Sequence, residues 1–187
     1  IGEFLDAKPG MRVIDACAGA GGKTLHLAAM MENKGQIIAL DIHAWKLAEL
    51  KRRAKRAGAH NIEVREINDN KVIKRLHEKA DRVLIDAPCS GMGVLKRNPD
   101  AKWKLQPHFI DEIIATQAKI LADYSKVIKV GGLMVYATCS ILPQENEQQV
   151  EKFLANHPNY KLISDKMHYP SETNYDGFYM ALIERIA

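Results

Sequence analysis

The sequence predicts a doubly wound α/β domain built on a mostly parallel seven-stranded sheet. Three observations carry that expectation. Short apolar runs alternate with longer amphipathic, helix-like segments along the chain. A glycine-rich stretch, "DACAGAGGKT" (15–24), links the first apolar run to the first helical segment. Two apolar runs at the end, "YKLIS" (160–164) and "GFYMALIER" (177–185), have no helical pattern between them and read as closing strands.

Each element follows from its own pattern. "RVIDAC" (12–17) is a short apolar run of buried-strand type, and "GGKTLHLAAMMENKG" (21–35) reads as a helix closed by Gly35. "QIIALDI" (36–42) is a second strand, and "AWKLAELKRRAKRAG" (44–58) is an amphipathic helix with Gly58 at its end. "NIEVREI" (61–67) alternates as a third strand, a short helix covers 70–79, and "DRVLIDA" (81–87) is a fourth strand. A long basic connection, 88–106, leads to a helix over 107–132 with Pro107 near its start. "LMVYATC" (133–139) is the fifth strand, and 143–158 is a helix entered through Pro143.

Composition excludes several classes. Of 187 residues, 47% are hydrophobic and 27% charged, the balance of a soluble globular domain large enough for a core. No apolar run approaches membrane-span length, and none of these residues reads as a signal peptide. The chain opens on Ile1 rather than Met, which is read as a piece of a longer protein. Cys17, Cys89 and Cys139 form no C-x-x-C pair, so a zinc or other metal site is not expected. Their odd number argues against a disulfide framework and for a reducing, cytoplasmic setting. A net charge of +4 permits an anionic partner without demanding one.

In doubly wound sheets ligands bind beyond the carboxyl ends of the strands, which singles out the residues just after each strand. After the first, Gly19, Gly21 and Gly22 let backbone approach a ligand closely. The spacing is neither the G-x-G-x-x-G of dinucleotide binders nor a Walker loop: the third position of the former falls on Thr24, and the first of the latter on Cys17. Asp41 ends the second strand, where a carboxylate can accept hydrogen bonds from ribose hydroxyls; the alternative is a cap on the helix from Ala44. Asp69 follows the third strand and either reaches an adenine amino group or caps the 70–79 helix. A glycine turn without a phosphate signature, plus two acids, suits a nucleoside without phosphates, and S-adenosylmethionine is the candidate cofactor.

Asp86 ends the fourth strand, Cys89 follows three residues later, and Cys139 ends the fifth. If strands one, four and five are neighbours, about 4.8 Å apart, both cysteines open into one cleft beside the glycine turn. A thiolate is a good nucleophile toward an electron-poor carbon. Added to carbon 6 of a cytosine, it makes carbon 5 able to accept a methyl group. Asp86 suits hydrogen bonding at ring nitrogen 3, with Lys23 orienting it or stabilising charge. The bland alternatives are a turn-capping Asp86, a solvated Lys23 and cysteines acting as small buried hydrophobes. Cys17 is read as a packing residue, with a backbone contact to cofactor. Lys96, Arg97, Lys102 and Lys104 flank the cleft around Trp103 and suit phosphate tracking and base stacking, or else form a solvated loop with one packed Trp.

The set "DACAGAGGKT", "DAPCSGMGVLKRNPDAKW", "ATCSILPQENEQQV" and "DGFYMALI" closely resembles, in order and over nearly the whole chain, the catalytic domain of the Nop/Sun (Sun/Fmu) RNA cytosine-5 methyltransferases. The resemblance implies a Rossmann-like S-adenosylmethionine-dependent methyltransferase fold and an RNA substrate, ribosomal before transfer RNA. It also implies that Cys139, in the "TCS" motif, is the nucleophile and that Cys89, in "PCS", helps release the product. By the same matching, Cys17, Ala18, Gly19, Ala20, Gly21, Gly22 and Lys23 hold the methionine part of the cofactor. Asp41 then takes the ribose, Asp69 lies by the adenine, and Asp86 lies near the cofactor amine and target base. One departure is that Gly19-Ala20 stands where the family usually has Ala-Pro, a less stiff pair. That pair is expected to weaken cofactor affinity at most; family members also carry further N-terminal RNA-binding segments, so the single domain 1–187 is expected to bind cofactor but recognise RNA poorly. Two rivals remain at this point: a non-catalytic RNA-binding or assembly factor retaining the fold, and an amine or amide methyltransferase that would not need Cys139.

Overall fold

The strands are β1 (Arg12–Asp15), β2 (Gln36–Asp41), β3 (Ile62–Glu66), β4 (Ala80–Asp86), β5 (Ile128–Thr138), β6 (Tyr160–His168) and β7 (Phe178–Arg185). In the computed structural model they form one seven-stranded sheet in the order β3-β2-β1-β4-β5-β7-β6. Strands β1 to β5 pair parallel, and β7 runs antiparallel to both β5 and β6. The structure describes the backbone of residues 1–187 and all side chains except those of Lys104, Pro107 and Thr173.

The helices are α1 (Gly2–Leu5), α2 (Gly22–Met30), α3 (Ala44–Arg56), α4 (Asn70–Lys74), α5 (Ala101–Lys104), α6 (Pro107–Ser125), α7 (Glu147–Asn156) and α8 (Pro170–Thr173). Strand alternation decides which of them covers which face. Val13, Ile37, Leu84 and Val135 point to one face and pack with Leu5 of α1 and Leu27 of α2. Ile14, Ile38, Ile85 and Met134 point to the other and pack with Leu121 and Tyr124 of α6 and Phe153 of α7. Both faces of the central strands are therefore buried, which is why their sequences read as continuous apolar runs.

Several boundaries differ from the sequence reading. Helix α2 ends at Met30, not near Gly35. Glu32 and Asn33 take left-handed φ values of 52° and 56°, and Asn33 bonds the Gly58 carbonyl and the His60 amide. Gly35 instead serves a tight approach, since a Cβ there would lie 2.3 Å from the Met11 carbonyl oxygen. The predicted helix over 107–132 ends at Ser125, and β5 begins at Ile128. "VIKV" has β-branched residues, and its strand pairing is broken by an irregularity before Leu133, with Gly131 at φ 75°. Over 143–158, a 3₁₀ turn (Pro143–Glu145) precedes α7, with a sharp break at Asn146. Beyond these, β6 extends past 164 to His168, the 70–79 helix shortens to α4, and α1, α5 and α8 were not predicted.

Candidate active site

The carboxyl ends of β1, β2, β4 and β5 meet at one edge of the sheet. The loop after β1 is stitched between its two neighbours: Ala16 N donates to Leu84 O at 2.8 Å, and Ala18 N donates to Leu40 O at 2.9 Å. Gly19 has φ 54°, and its N–H donates to Asp41 Oδ2 at 2.9 Å. Arg53 of α3 donates to the Ala20 carbonyl at 2.7 Å. These two bonds pin the Gly19-Ala20 stretch without the stiffening that a proline would supply. Gly21, at φ 86°, starts α2, and a Cβ there would lie 2.5 Å from Leu50 Cγ. Gly22 opens the first turn of that helix, and Lys23 follows.

A cavity of about 270 Å³ opens beside this loop. Ile42, Ile67, Pro88 and Ile120 supply apolar wall, Asp41 and Asp86 supply carboxylates, and Cys17 and Gly19 complete the loop side. His43 and Lys46 line it as well; with two acids set against the one ammonium, the slot suits a nucleoside carrying hydroxyls and positive charge better than a phosphate ester. Ala18, Ala20, Gly21, Gly22 and Lys23 shape the loop without lining the cavity. Asp41 is buried, and its Oδ1 accepts from His43 N at 2.8 Å, so it joins the loop to the start of α3 and is not the residue capping that helix. Asp69 does cap α4, accepting from Lys71 N at 2.8 Å, and does not line the cavity. Burial pushes the Cys17 thiol up, in keeping with a packed, unreactive side chain.

The topology brings the two other cysteines together. Asp86 pairs in register with Ala137, so the residues after β4 and β5 emerge side by side. Cys89 Sγ and Cys139 Sγ lie 3.1 Å apart, both free thiols. Within the pair Cys139 is pulled below the ordinary thiol range, chiefly by the hydrogen bond from Cys89, with Lys23 lowering it and Asp86 raising it. Cys89 is pushed up by its hydrogen bond with Cys139 and by burial. Lys23 Nζ meets Asp86 Oδ2 at 2.5 Å, bridging the glycine loop and β4. Thus Lys23, Asp86, Cys89 and Cys139 do converge.

Sequence reasoning missed the support beneath them. Glu145 is fully buried, and its carboxylate accepts from Ser90 Oγ, Ser140 Oγ, Ser90 N and Gln117 Nε2. Gln117 also donates to the Pro88 carbonyl at 2.9 Å. Asn146 accepts from Thr138 Oγ1 and donates to the Ser140 carbonyl. The signal was the polar string "PQEN" after "TCS", whose burial no local pattern predicts. Gly93 N donates to the Cys139 carbonyl at 2.9 Å, and Gly177 N donates to the Gly93 carbonyl at 2.7 Å. In the basic connection, Trp103 is 78% exposed rather than packed, with Lys102 Nζ 4.9 Å from its ring. Arg97 pairs with Asp176, and Lys96 lies beside them in a surface cleft. The Lys104 side chain lies outside the described residues.

Among the described residues no cluster of His, Cys, Asp or Glu is arranged to hold a metal ion, and no helix is long and apolar enough to cross a membrane. The family model described as "16S rRNA methyltransferase RsmB/F" matches residues 3–184. The chain is 38% identical over 162 residues to "Probable ribosomal RNA small subunit methyltransferase B" of Synechocystis sp., covering 86% of this chain and 36% of that protein. It is 37% identical over 193 residues to "Ribosomal RNA small subunit methyltransferase B" of Yersinia enterocolitica, covering 98% of this chain and 44% of that protein. Among solved structures, "PH0851" superposes with a TM-score of 0.94 at 35% identity, covering 98% of this chain and 44% of that one. "NSun6 from Pyrococcus horikoshii with SFG" superposes at 0.90 and 28% identity, covering 100% of this chain and 50% of that one. The chain therefore spans less than half the length of these curated relatives. On the match over 3–184, it belongs to the 16S rRNA methyltransferase RsmB/F family.

Proposed function

We propose that this domain transfers a methyl group from S-adenosylmethionine to carbon 5 of a cytosine in RNA, ribosomal before transfer RNA. The observation that carries this reading is the 3.1 Å pair of thiols beside the Lys23–Asp86 bridge and the adjoining cavity. The apolar walls and paired acids fit the cofactor, and SFG, with which one relative was solved, is an analogue of it. The cofactor, when bound, supplies an electrophilic methyl group. Asp41 is placed to take ribose hydroxyls if the ligand displaces its bond to the loop. Asp69 is engaged as the cap of α4, and its part in adenine binding rests on the family resemblance alone.

Cys139 adds as thiolate to carbon 6, which makes carbon 5 nucleophilic. Cys89, within hydrogen-bond reach, supports the thiolate on Cys139 when it carries the proton of the pair. Asp86, held by Lys23, accepts from the exocyclic amine of the base and stabilises ring nitrogen 3 as that atom takes a proton from solvent on thiolate addition. After methyl transfer a base removes the carbon 5 proton, the carbon 5–carbon 6 double bond re-forms and the Cys139 sulfur leaves. Cys89 assists that release. Two adjacent thiols that must stay reduced fit a cytoplasmic setting, and the target base must be unpaired or flipped to reach them.

Cys139→Ala is expected to abolish methyl transfer while cofactor binding, followed by calorimetry, survives. Full transfer by that variant would remove Cys139 as the nucleophile and favour an amine or amide acceptor. Cys89→Ala is expected to accumulate a covalent protein–RNA adduct on denaturing gels; its absence would count against the release role.

A further inference from the structure

Each cysteine of the pair is followed by a serine, and both serines end on the same carboxylate. Ser90 Oγ and Ser140 Oγ each lie 2.5 Å from Glu145 Oε1 and 3.1 Å from one another. The second oxygen, Oε2, accepts from Ser90 N at 2.8 Å and from Gln117 Nε2 at 2.9 Å. Gln117, on α6, also holds the Pro88 carbonyl, one residue before Cys89. The Tyr136 hydroxyl donates to the Glu145 carbonyl at 2.8 Å, which ties the clamp to β5 itself. The two cysteine loops come from separate crossovers, 50 residues apart in sequence, and are also tied by Gly93 N donating to the Cys139 carbonyl at 2.9 Å. A fully buried carboxylate with four donors is a rigid joint, because releasing any donor leaves a buried polar group unpaired.

We infer that Glu145 is the positioning residue of this site, with Ser90 and Ser140 as its two arms, and that it sets the distance between the thiols of Cys89 and Cys139. It touches no reacting atom. The inference rests on Cys139 being the nucleophile. If the arms slacken, Cys89 no longer donates to Cys139, and the thiolate loses its main support. The other groups acting on Cys139 are Lys23 and Asp86, which belong to the glycine loop and β4 and are not held by Glu145.

The test is the pH profile of iodoacetamide alkylation of Cys139 in the folded chain, read by peptide mass mapping, alongside methyl transfer and thermal melting. A glutamine at 145 puts an NH₂ group, which cannot accept, in place of one carboxylate oxygen. Glu145→Gln is expected to shift the Cys139 profile upward by about one pH unit. Its kcat should fall about 10- to 100-fold with little change in KM for the cofactor. Should Glu145→Gln fail to fold, Ser90→Ala removes a single arm, and Ser90→Thr, which keeps the hydroxyl, should restore both profile and rate. A wild-type alkylation profile in folded Glu145→Gln or Ser90→Ala would overturn the inference, even if stability fell. The profile requires no RNA. Methyl transfer surviving Cys139→Ala would therefore refute the proposed nucleophile, while the thiol geometry would still be judged by alkylation.

Discussion

Asp15 shows how one residue at the carboxyl edge carries a measurable burden. It is 1% exposed, its Oδ2 accepts from Thr24 Oγ1 at 2.6 Å, and its Oδ1 makes no hydrogen bond among the described residues. Burial raises its pKa to about 7, against the pull of Thr24 and with a further push from Asp86. Because the folded-state pKa lies above the unfolded one, ionisation is harder in the folded chain. The resulting penalty is absent below about pH 4, grows as pH rises toward about 7, and is constant above. Asp15→Asn is therefore expected to gain stability relative to the native chain, by on the order of a few kcal/mol, across that window. Urea melts at pH 4, 5.5, 7 and 8 check this, and an unchanging difference would contradict it.

At the scale of elements, the approach of the basic connection to the start of β7 depends on two glycines facing each other. A Cβ on Gly93 would lie 2.2 Å from the Gly177 carbonyl oxygen and 2.8 Å from that of Cys139. Both contacts are backbone, so neither can be relieved by a rotamer change. Gly93→Ala is expected to push the connection away from Cys139, lowering methyl transfer by about tenfold or more, beyond what a loss of roughly 1–3 kcal/mol in stability explains. Parallel kinetics and thermal melts separate the two effects. The boundaries that sequence misplaced also belong to this scale. "SKVIKVGG" fits helix and strand patterns alike, and only pairing with β4 makes it a strand.

For the whole molecule, the net charge of +4 bears on the proposed RNA substrate. The exposed Trp103 with Lys102 above its ring, and Lys96 near the thiol loops, offer a stacking surface and cations on one connection. RNA binding by this chain is expected to weaken with salt, by a slope of about −0.7 for each single-strand phosphate contact. Lys102→Ala should make that slope shallower by about 0.7 if it contacts one phosphate, whereas Trp103→Ala should cost about 1–3 kcal/mol at every salt concentration. Filter binding between 50 and 200 mM salt distinguishes them. A slope unmoved by Lys102→Ala would exclude it from the RNA contact.

Residue order alone was enough for the alternation of strands and helices, the glycine turn, and the acids and cysteines at strand ends. Those features are local: apolar period, turn chemistry and the sheet rule that places ligands beyond the strands. Two carboxylates with the same apparent promise parted only in three dimensions. Asp41 lines the cavity and pins the glycine loop, whereas Asp69 is spent on capping α4. Likewise, sequence brought Cys89 and Cys139 to one cleft only through an assumed strand order, and family resemblance had to name the attacking one. The sheet order sets β4 against β5, the Glu145 joint closes the gap, and the two thiols come to 3.1 Å. A contact across 50 residues, made through a buried carboxylate that follows Cys139 in its own connection, has no local signature, because it exists only once separate crossovers have packed.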